Sequence, residues 1–352
     1  MKGKITPQRH KDTNTQKTKK YSFLVSWFLG ALVVGFLWSQ QPQKSSEQQK
    51  KEQEGFKIGV EVNVVNVPVT VRRPEGGFVK GLQKSGFHVY EDGEVQEIAL
   101  FAQEGVPTRI AIVLDSSGSV RTEWGTIKYA TKKFAENLEP EDEFSLVTFN
   151  TEIRLKMDWG RKVDRLDPVL SSIYCKDNTK LWDAIWVVCS DVFKGIKEKK
   201  AMIIMSDGLD NESTVSYNEA LQAAIHSEAA IYIVSKTEAV RQMMMYEMTQ
   251  QRIYDNVPGE VFVQADLLLR RLAYETGGRV LYPNNFGQLD NVYAEVDEEL
   301  RNQYTLGYIS TNTIKDGSYR RIQVKVDTPG ATVNSRPGYY APNEMPVPPP
   351  NK

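Results

Sequence analysis

Hydrophobic and polar positions between residues 105 and 303 form two alternating kinds of segment. Short, continuous apolar runs, such as RIAIVLD (109–115) and AMIIMSDG (201–208), are typical of strands buried on both faces of a sheet. Between these runs, apolar residues recur at helical spacing, as in Ile127, Ala130 and Phe134. Strands that alternate with helices predict an α/β fold with a doubly wound, mostly parallel sheet and helices on both faces.

The predicted elements of this region follow from the same two patterns. Strands are expected at 109–115, 143–150, 201–208, 230–236 and 279–282. Helices are expected at 123–138, 163–172, 181–193, 218–228, 266–276 and 287–303. In such folds, ligands bind at the carboxyl ends of the strands.

The segments on either side, 56–104 and 304–342, change to an alternation of period two that is typical of β-strands. Residues 56–73 alternate valine with other residues, and 87–101 predicts two strands around the Asp92-Gly93 turn. Each segment is too short to bury a core alone, so we expect the two to pair into one small β-sandwich. The alternative is two separate β extensions that pack on the α/β domain. Residues 343–352 form a proline-rich tail that is expected to be disordered.

The N-terminus has the pattern of a membrane anchor. Residues 1–20 carry seven Lys or Arg and one Asp, and the uncharged apolar stretch that follows predicts a transmembrane helix at 21–39. The positive-inside rule places the basic leader in the cytoplasm and the bulk of the chain in the periplasm or outside the cell. The stretch ends without a small-residue cleavage site, which favours an anchor over a cleaved signal peptide of a secreted protein; a buried core helix is a third reading. The polar residues 40–55 are expected to be a flexible linker.

Composition excludes several classes of function for the 352-residue chain. A net charge of -1 argues against a general nucleic-acid binder, and 2 Cys with 3 His exclude a thiolate cluster or a histidine-rich metal site. Cys175 and Cys189 are far enough into the chain to lie outside the cytoplasm, so a disulfide and two core thiols both remain open.

Candidate chemistry lies where two buried strands end. The first ends in Asp115-Ser116-Ser117-Gly118-Ser119, and AMIIMSDG ends in Asp207. Thr179 precedes the helix that begins at Leu181. Each of these residues alone is common as a helix cap. Together they offer three hydroxyls and two carboxylates at one edge of a parallel sheet, a set of hard oxygen ligands that suits Mg²⁺, with Mn²⁺ or Ca²⁺ as alternatives.

The pattern Asp115-x-Ser117-x-Ser119, followed by Thr179 in NTKLWDAI and Asp207 in MSDGLDN, resembles the metal-ion-dependent adhesion site (MIDAS) of von Willebrand factor type A domains. The β-rich flanks resemble a bacterial family of secreted or anchored proteins related to that domain, and the resemblance covers about residues 60–342. It implies that Ser117, Ser119 and Thr179 contact the metal through hydroxyls. Asp115 and Asp207 would act directly or through water.

The resemblance implies metal-dependent protein–protein interaction or adhesion, in which a partner protein supplies a carboxylate to the metal. A second hypothesis is a structural or assembly component of an envelope complex that binds no metal. We expect no enzyme: there is no Walker A motif and no G-x-S-x-G nucleophile elbow, and Ser117 stands where haloacid dehalogenase-type enzymes carry a second Asp. Asp183 and Asp210 are expected to be helix-end groups rather than direct ligands.

Overall fold

The computed structural model describes residues 64–103, 106–176, 178–235 and 259–343. The leader, the predicted anchor at 21–39 and the linker lie outside the described residues, as do residues 344–352 of the tail. Within the described ranges, no helix is both long enough and apolar enough to cross a membrane.

Fourteen strands and six α-helices make up this part of the chain. The strands are β1 (Val64–Arg72), β2 (Phe87–Glu91), β3 (Glu94–Gln96), β4 (Ile98–Ala102), β5 (Thr108–Asp115), β6 (Glu143–Phe149), β7 (Ile153–Gly160), β8 (Lys199–Ser206), β9 (Ala230–Ser235), β10 (Arg279–Leu281), β11 (Tyr304–Ile309), β12 (Tyr319–Val326), β13 (Thr332–Ser335) and β14 (Gly338–Tyr340). The helices are α1 (Trp124–Asn137), α2 (Leu166–Ser171), α3 (Leu181–Val187), α4 (Tyr217–Ser227), α5 (Gly259–Glu275) and α6 (Leu289–Arg301).

The α/β region contains a six-stranded sheet with the order β10-β9-β8-β5-β6-β7. Five strands are parallel, and the edge strand β7 is antiparallel to β6. The predicted α/β class and doubly wound sheet are confirmed. The sequence pattern did not predict β7, because IRLKMDWG places charged residues along an exposed edge and lacks the continuous apolar run of a central strand.

Two layers of helices cover the sheet, and the central strand β5 sends alternate side chains into each layer. Ile110, Ile112 and Leu114 join a core with residues of α1, α2 and α6. Ala111 and Val113 face the opposite way, into a core with residues of α3, α4 and α5. The continuous apolar run of β5 is therefore explained by burial on both faces.

The strands before and after the α/β region form two further four-stranded sheets, with the orders β13-β1-β11-β4 and β14-β12-β2-β3. In the first sheet β1 pairs with β11 and β13, and in the second β2 pairs with β12, all antiparallel. The two sheets share one apolar core, in which the ring of Phe87 lies 4.9 Å from that of Tyr304. The polypeptide thus enters the sandwich, leaves to form the α/β region and returns.

The segment after the Asp92-Gly93 turn contains two strands where the sequence predicted one. β3 pairs with β2 through the hairpin turn, in which both Asp92 and Gly93 have positive φ. After Glu97 the chain crosses to the other sheet, where β4 pairs with β11. The pattern does not mark the break, because β3 buries the polar Gln96 and leaves Val95 67% exposed.

Candidate metal centre

Asp115 is the last residue of β5, and its carboxylate shapes the turn that follows. The side chain is only 1% exposed, and its Oδ1 accepts a hydrogen bond of 2.8 Å from the backbone N–H of Ser117. The N–H of Ser116 donates to the carbonyl of Phe149 on the neighbouring strand, at 2.8 Å. These bonds fix the backbone at the point where the strand leaves the sheet.

Two of the three serines of the DSSGS turn lie side by side. The Oγ atoms of Ser117 and Ser119 are 3.0 Å apart, a distance at which one hydroxyl donates to the other. A short 3₁₀ turn, Gly118–Val120, brings the two hydroxyls together. Two oxygens at this separation can serve as neighbouring ligands of one cation.

Asp207 reaches the same edge of the sheet from β8. The strands β5 and β8 are parallel neighbours, with Leu114 opposite Met205, so both end at the carboxyl edge and deliver a carboxylate there, as predicted. Asp207 Oδ1 accepts from the N–H of Leu209 at 3.1 Å, and Asp207 is buried.

Gly208, the next residue, makes this turn possible. Its φ is +81°, a conformation that L side chains rarely adopt, and a Cβ built on it would lie 2.9 Å from Cδ1 of Leu269 in α5. The turn after β8 therefore passes directly beneath a helix, where only glycine fits.

Thr179 belongs to a loop that is hydrogen-bonded to the loop after β5 and to the loop after β8. Its N–H donates to Oδ1 of Asn211 at 2.8 Å, and its carbonyl accepts from the N–H groups of Asn211 and Glu212, each at 3.2 Å. Earlier in the same loop, the N–H of Lys176 donates to the carbonyl of Ser116 at 3.0 Å. The loops that carry Asp115, Thr179 and Asp207 are thus joined by backbone and amide hydrogen bonds.

Asp183 and Asp210 act at the start of α3, as expected of helix-end groups. Asp210 Oδ1 accepts from the N–H of Leu181 at 2.7 Å, while Asp183 Oδ1 accepts from the N–H groups of Thr214 and Val215 at 2.8 and 2.7 Å. Asp210 thus caps the first turn of α3, and Asp183 holds the loop at residues 214–215.

Two asparagines at this edge were missed by the sequence analysis. Asn150 Nδ2 donates to Oγ of Ser116 at 2.9 Å, and the Asn150 carbonyl accepts from the N–H of Lys180 at 3.0 Å. Asn211 holds the backbone of Thr179. The signal for Asn150 was present in the sequence, because a polar side chain directly follows the buried strand EFSLVTF.

The donor set fits a hard divalent cation. The five candidate residues supply two carboxylates and three hydroxyls, which is the oxygen chemistry that Mg²⁺ prefers. Across the residues that the structure describes, no group of three or more His, Cys, Asp or Glu that could hold a metal ion is found.

The cysteines are not part of this chemistry. Cys175 and Cys189 are not joined by a disulfide. Burial raises the pKa of the Cys189 thiol to about 12, so the thiol stays protonated at neutral pH and is a poor nucleophile.

The sheet, the helices that cover it and the loops at the ends of its strands define a doubly wound α/β domain. This domain has an oxygen-rich site at the carboxyl edge of its sheet. The model of the von Willebrand factor type A domain matches residues 110–293, and the chain belongs to this family. Domains of this family are in general metal-dependent interaction domains rather than enzymes.

Several solved structures are similar at low sequence identity. A von Willebrand factor type A protein from Catenulispora acidiphila is 14% identical, with 75% of this chain and 76% of that chain covered and a TM-score of 0.44. An aerotolerance-related membrane protein from Bacteroides fragilis is 14% identical over 55% of this chain and 98% of its own, with a TM-score of 0.40.

Proximal thread matrix protein 1 from the mussel byssus, solved with a zinc-occupied MIDAS motif, is 13% identical over 60% of this chain, with a TM-score of 0.44. The chain spans about half the length of that mussel protein, 49%. None of the curated proteins compared with the chain matches it.

Proposed function

We propose that the chain binds a divalent cation, Mg²⁺ in the first place, at Asp115, Ser117, Ser119, Thr179 and Asp207, and through it a protein partner. The observation that carries the proposal is the pair of hydroxyls of Ser117 and Ser119, 3.0 Å apart beside the buried Asp115. Three hydroxyls and two carboxylates favour Mg²⁺ over Zn²⁺, because Zn²⁺ sites are built mainly from nitrogen and sulfur ligands.

Each side chain has a task that its contacts support. Asp115 holds the N–H of Ser117 and so orients the serine turn, while Asp207 holds the N–H of Leu209 after β8. The bonds from Asn211 fix Thr179 at the same edge. When bound, the cation supplies an electrophilic centre, because Asp115 and Asp207 can act on it through water as well as directly. A carboxylate from a partner can then complete the shell.

The proposal includes an anchor at residues 21–39 and an extracytoplasmic position of residues 40–352. It rests on the apolar stretch and the basic leader before it. A reporter enzyme that works only in the cytoplasm, fused after residue 342, is expected to be silent. Activity of that reporter would contradict this topology, whatever the outcome at the metal site.

Partner binding is tested by capture from an extract of the source cells with the immobilised chain, in Mg²⁺ and in excess chelator. A partner captured in Mg²⁺ is expected to be released by chelator and to be missed by Asp115→Ala. Asp183→Asn, a change in the same region at a carboxylate that accepts from the N–H groups of Thr214 and Val215 and from the Thr214 hydroxyl, is the matched control for disturbance of the fold. A partner that binds equally well in chelator would favour the metal-free assembly component instead.

A further inference from the structure

A small cleft of about 90 Å³ opens next to the candidate metal centre. It lies between the turn that joins β6 to β7 and the loop 172–176, and Ser116 and Lys176 both line it. Ser116 stands between Asp115 and Ser117, and Lys176 forms a β-bridge with Ser117. The cleft is therefore continuous with the loops that carry the candidate ligands.

The lining of this cleft has an excess of positive charge. Arg154, Lys156 and Lys176 contribute three cations, and Glu152 is the one carboxylate among the lining residues. Glu152 pairs with Arg154, whose Nε lies 2.7 Å away, and with Lys176, whose Nζ lies 3.3 Å away. These bonds, that of Arg154 first, lower the pKa of Glu152, so it is ionised at neutral pH. One carboxylate cannot balance three cations, and the cleft remains positive.

An aromatic side chain stands at the rim of the same cleft. Tyr174 is 80% exposed, while its neighbour Ile173 is buried at 7% exposure. The loop is thus anchored by one apolar residue and presents the next to solvent. Exposed tyrosines are enriched at protein interfaces, because a rigid ring with a polar tip contributes contact area at a small entropic cost.

We infer that this cleft receives a second carboxylate of the same partner, so that the partner presents an acidic segment and not a single acid. One carboxylate of that segment completes the shell of the metal, and the next acidic residue lies among Arg154, Lys156 and Lys176. The inference rests on the proposed function, which it extends by naming the chemistry of the partner. Charges at the rim of an interface act mainly on the rate and specificity of association.

The test uses the full chain and fluorescein-labelled hexaglutamate as the probe, with fluorescence anisotropy measured at a fixed excess of Mg²⁺. Wild-type protein is expected to bind the peptide, and Arg154→Glu with Lys156→Glu is expected to weaken binding by about tenfold or more. The neutral pair Arg154→Gln with Lys156→Gln should fall between the two. Because both residues lie on an exposed edge strand, all variants should keep the circular dichroism of the wild type.

The matched control is a second charge reversal, Lys194→Glu with Lys197→Glu. These exposed lysines lie in the loop before β8, at the opposite edge of the sheet from the metal centre. If binding is site-specific, this control changes affinity by less than about twofold, whereas non-specific attraction of a polyanion would lower it as much as the cleft variant does. The second result would overturn the inference.

Failure of the inference and failure of the proposed function are distinguishable by a Mg²⁺ titration of the same proteins. The first case is that Asp115→Ala alone loses Mg²⁺. If the cleft variants then bind hexaglutamate as the wild type does, or if the wild type does not bind it, the inference is wrong and the metal site stands. If Asp115→Ala keeps Mg²⁺ binding, the proposed function itself is wrong.

Discussion

Individual residues at the carboxyl edge show how buried polar groups shape a binding site. Asp115, at 1% exposure, accepts from the backbone of its own turn, and Asn150 ties that turn to the next strand. A buried polar group that loses its partner costs about 1 to 3 kcal/mol. The serine hydroxyls therefore sit on backbone that is held from two sides, which reduces the ordering required when a ligand binds.

Gly208→Ala tests the backbone beside Asp207. The change forces an L residue into φ +81° and places a methyl group 2.9 Å from Leu269. Strain and overpacking together should lower the free energy of unfolding by about 2 kcal/mol. Because Asp207 is adjacent, the affinity for Mg²⁺ should fall as well. Urea denaturation and calorimetry measure the two effects.

Gly125→Ala is the matched control, because Gly125 lies within α1 and a Cβ there would meet nothing within 4 Å. Alanine in a helix is favoured over glycine by about 0.5 to 1 kcal/mol, so this variant should be slightly more stable than the wild type. If Gly208→Ala proved as stable as Gly125→Ala, the strained turn described here would be wrong.

Candidate ligands could be identified from sequence because their spacing is tied to strand ends, whereas the contacts of their supporting residues could not. Asp115 and Asp207 follow apolar runs that are recognisable as buried strands. Asn211 and Asp210 act across loops on residues about 30 positions earlier, and nothing in local spacing records such a contact. The cleft was missed for the same reason: Arg154 and Lys176 meet only through the fold.

Single elements of the α/β region were predictable where packing on both faces dictates the pattern. Strands β5, β8 and β9 agree closely with the sequence prediction, and α1 and α4 agree within one or two residues. Helix α5 begins at Gly259, well before the predicted 266. Its first turns bury Phe262 and Ala265 but also carry Val261 and Val263, which are more than half exposed, so the apolar residues there are not confined to one face.

A buried cation connects β8 with α6 and gives the stability a dependence on pH. Lys199, the first residue of β8, donates through Nζ to the carbonyl of Leu300 at 2.7 Å. Burial lowers the pKa of Lys199 to about 8, while the nearby carboxylates of Asp142 and Glu299 oppose the shift. Between about pH 8 and pH 10.5, the ordinary pKa of lysine, the Lys199 side chain binds more protons in the unfolded chain than in the folded chain. The stability contributed by Lys199 therefore rises with pH in that window and is lowest below about pH 8.

Lys199→Met isolates this effect. The difference in unfolding free energy between variant and wild type should shift in favour of the wild type by about 2 to 3 kcal/mol from about pH 7 to about pH 10. Urea titrations at several pH values measure it. Lys197→Met, at an exposed lysine two residues earlier, carries no burial cost, and its difference from the wild type should stay constant. A constant difference for Lys199→Met would contradict the assignment.

In the described part of the molecule, the β-sandwich is built from strands that lie before and after the α/β region in the sequence. Both neighbours of β1, namely β11 and β13, lie after residue 303. The period-two alternation indicated the strands, but it could not indicate which of two sheets each strand joins, because both face one core. The domain boundaries drawn from the sequence remain predictions.

A chain that ends after residue 303 should lose the sandwich. β1 would lose both of its partners and β2 would keep only β3, so Val67, Val69 and Phe87 would be exposed to water. We expect stronger binding of the dye ANS and a lower thermal midpoint than in a chain that ends after residue 343, which keeps every described strand. Equal dye binding and equal midpoints for the two truncations would show that residues 64–102 do not need the C-terminal strands.

The central claim, a divalent-cation site built from five oxygen ligands, is tested most directly by isothermal titration of Mg²⁺ into metal-free full-length protein. Wild type and Asp183→Asn should bind one Mg²⁺ per chain with similar affinity, because the Asp183 carboxylate accepts from the N–H groups of Thr214 and Val215 and from the Thr214 hydroxyl. Asp115→Ala should bind none, with its circular dichroism unchanged. Equal Mg²⁺ binding by wild type and Asp115→Ala, or no binding by the wild type, would contradict the account.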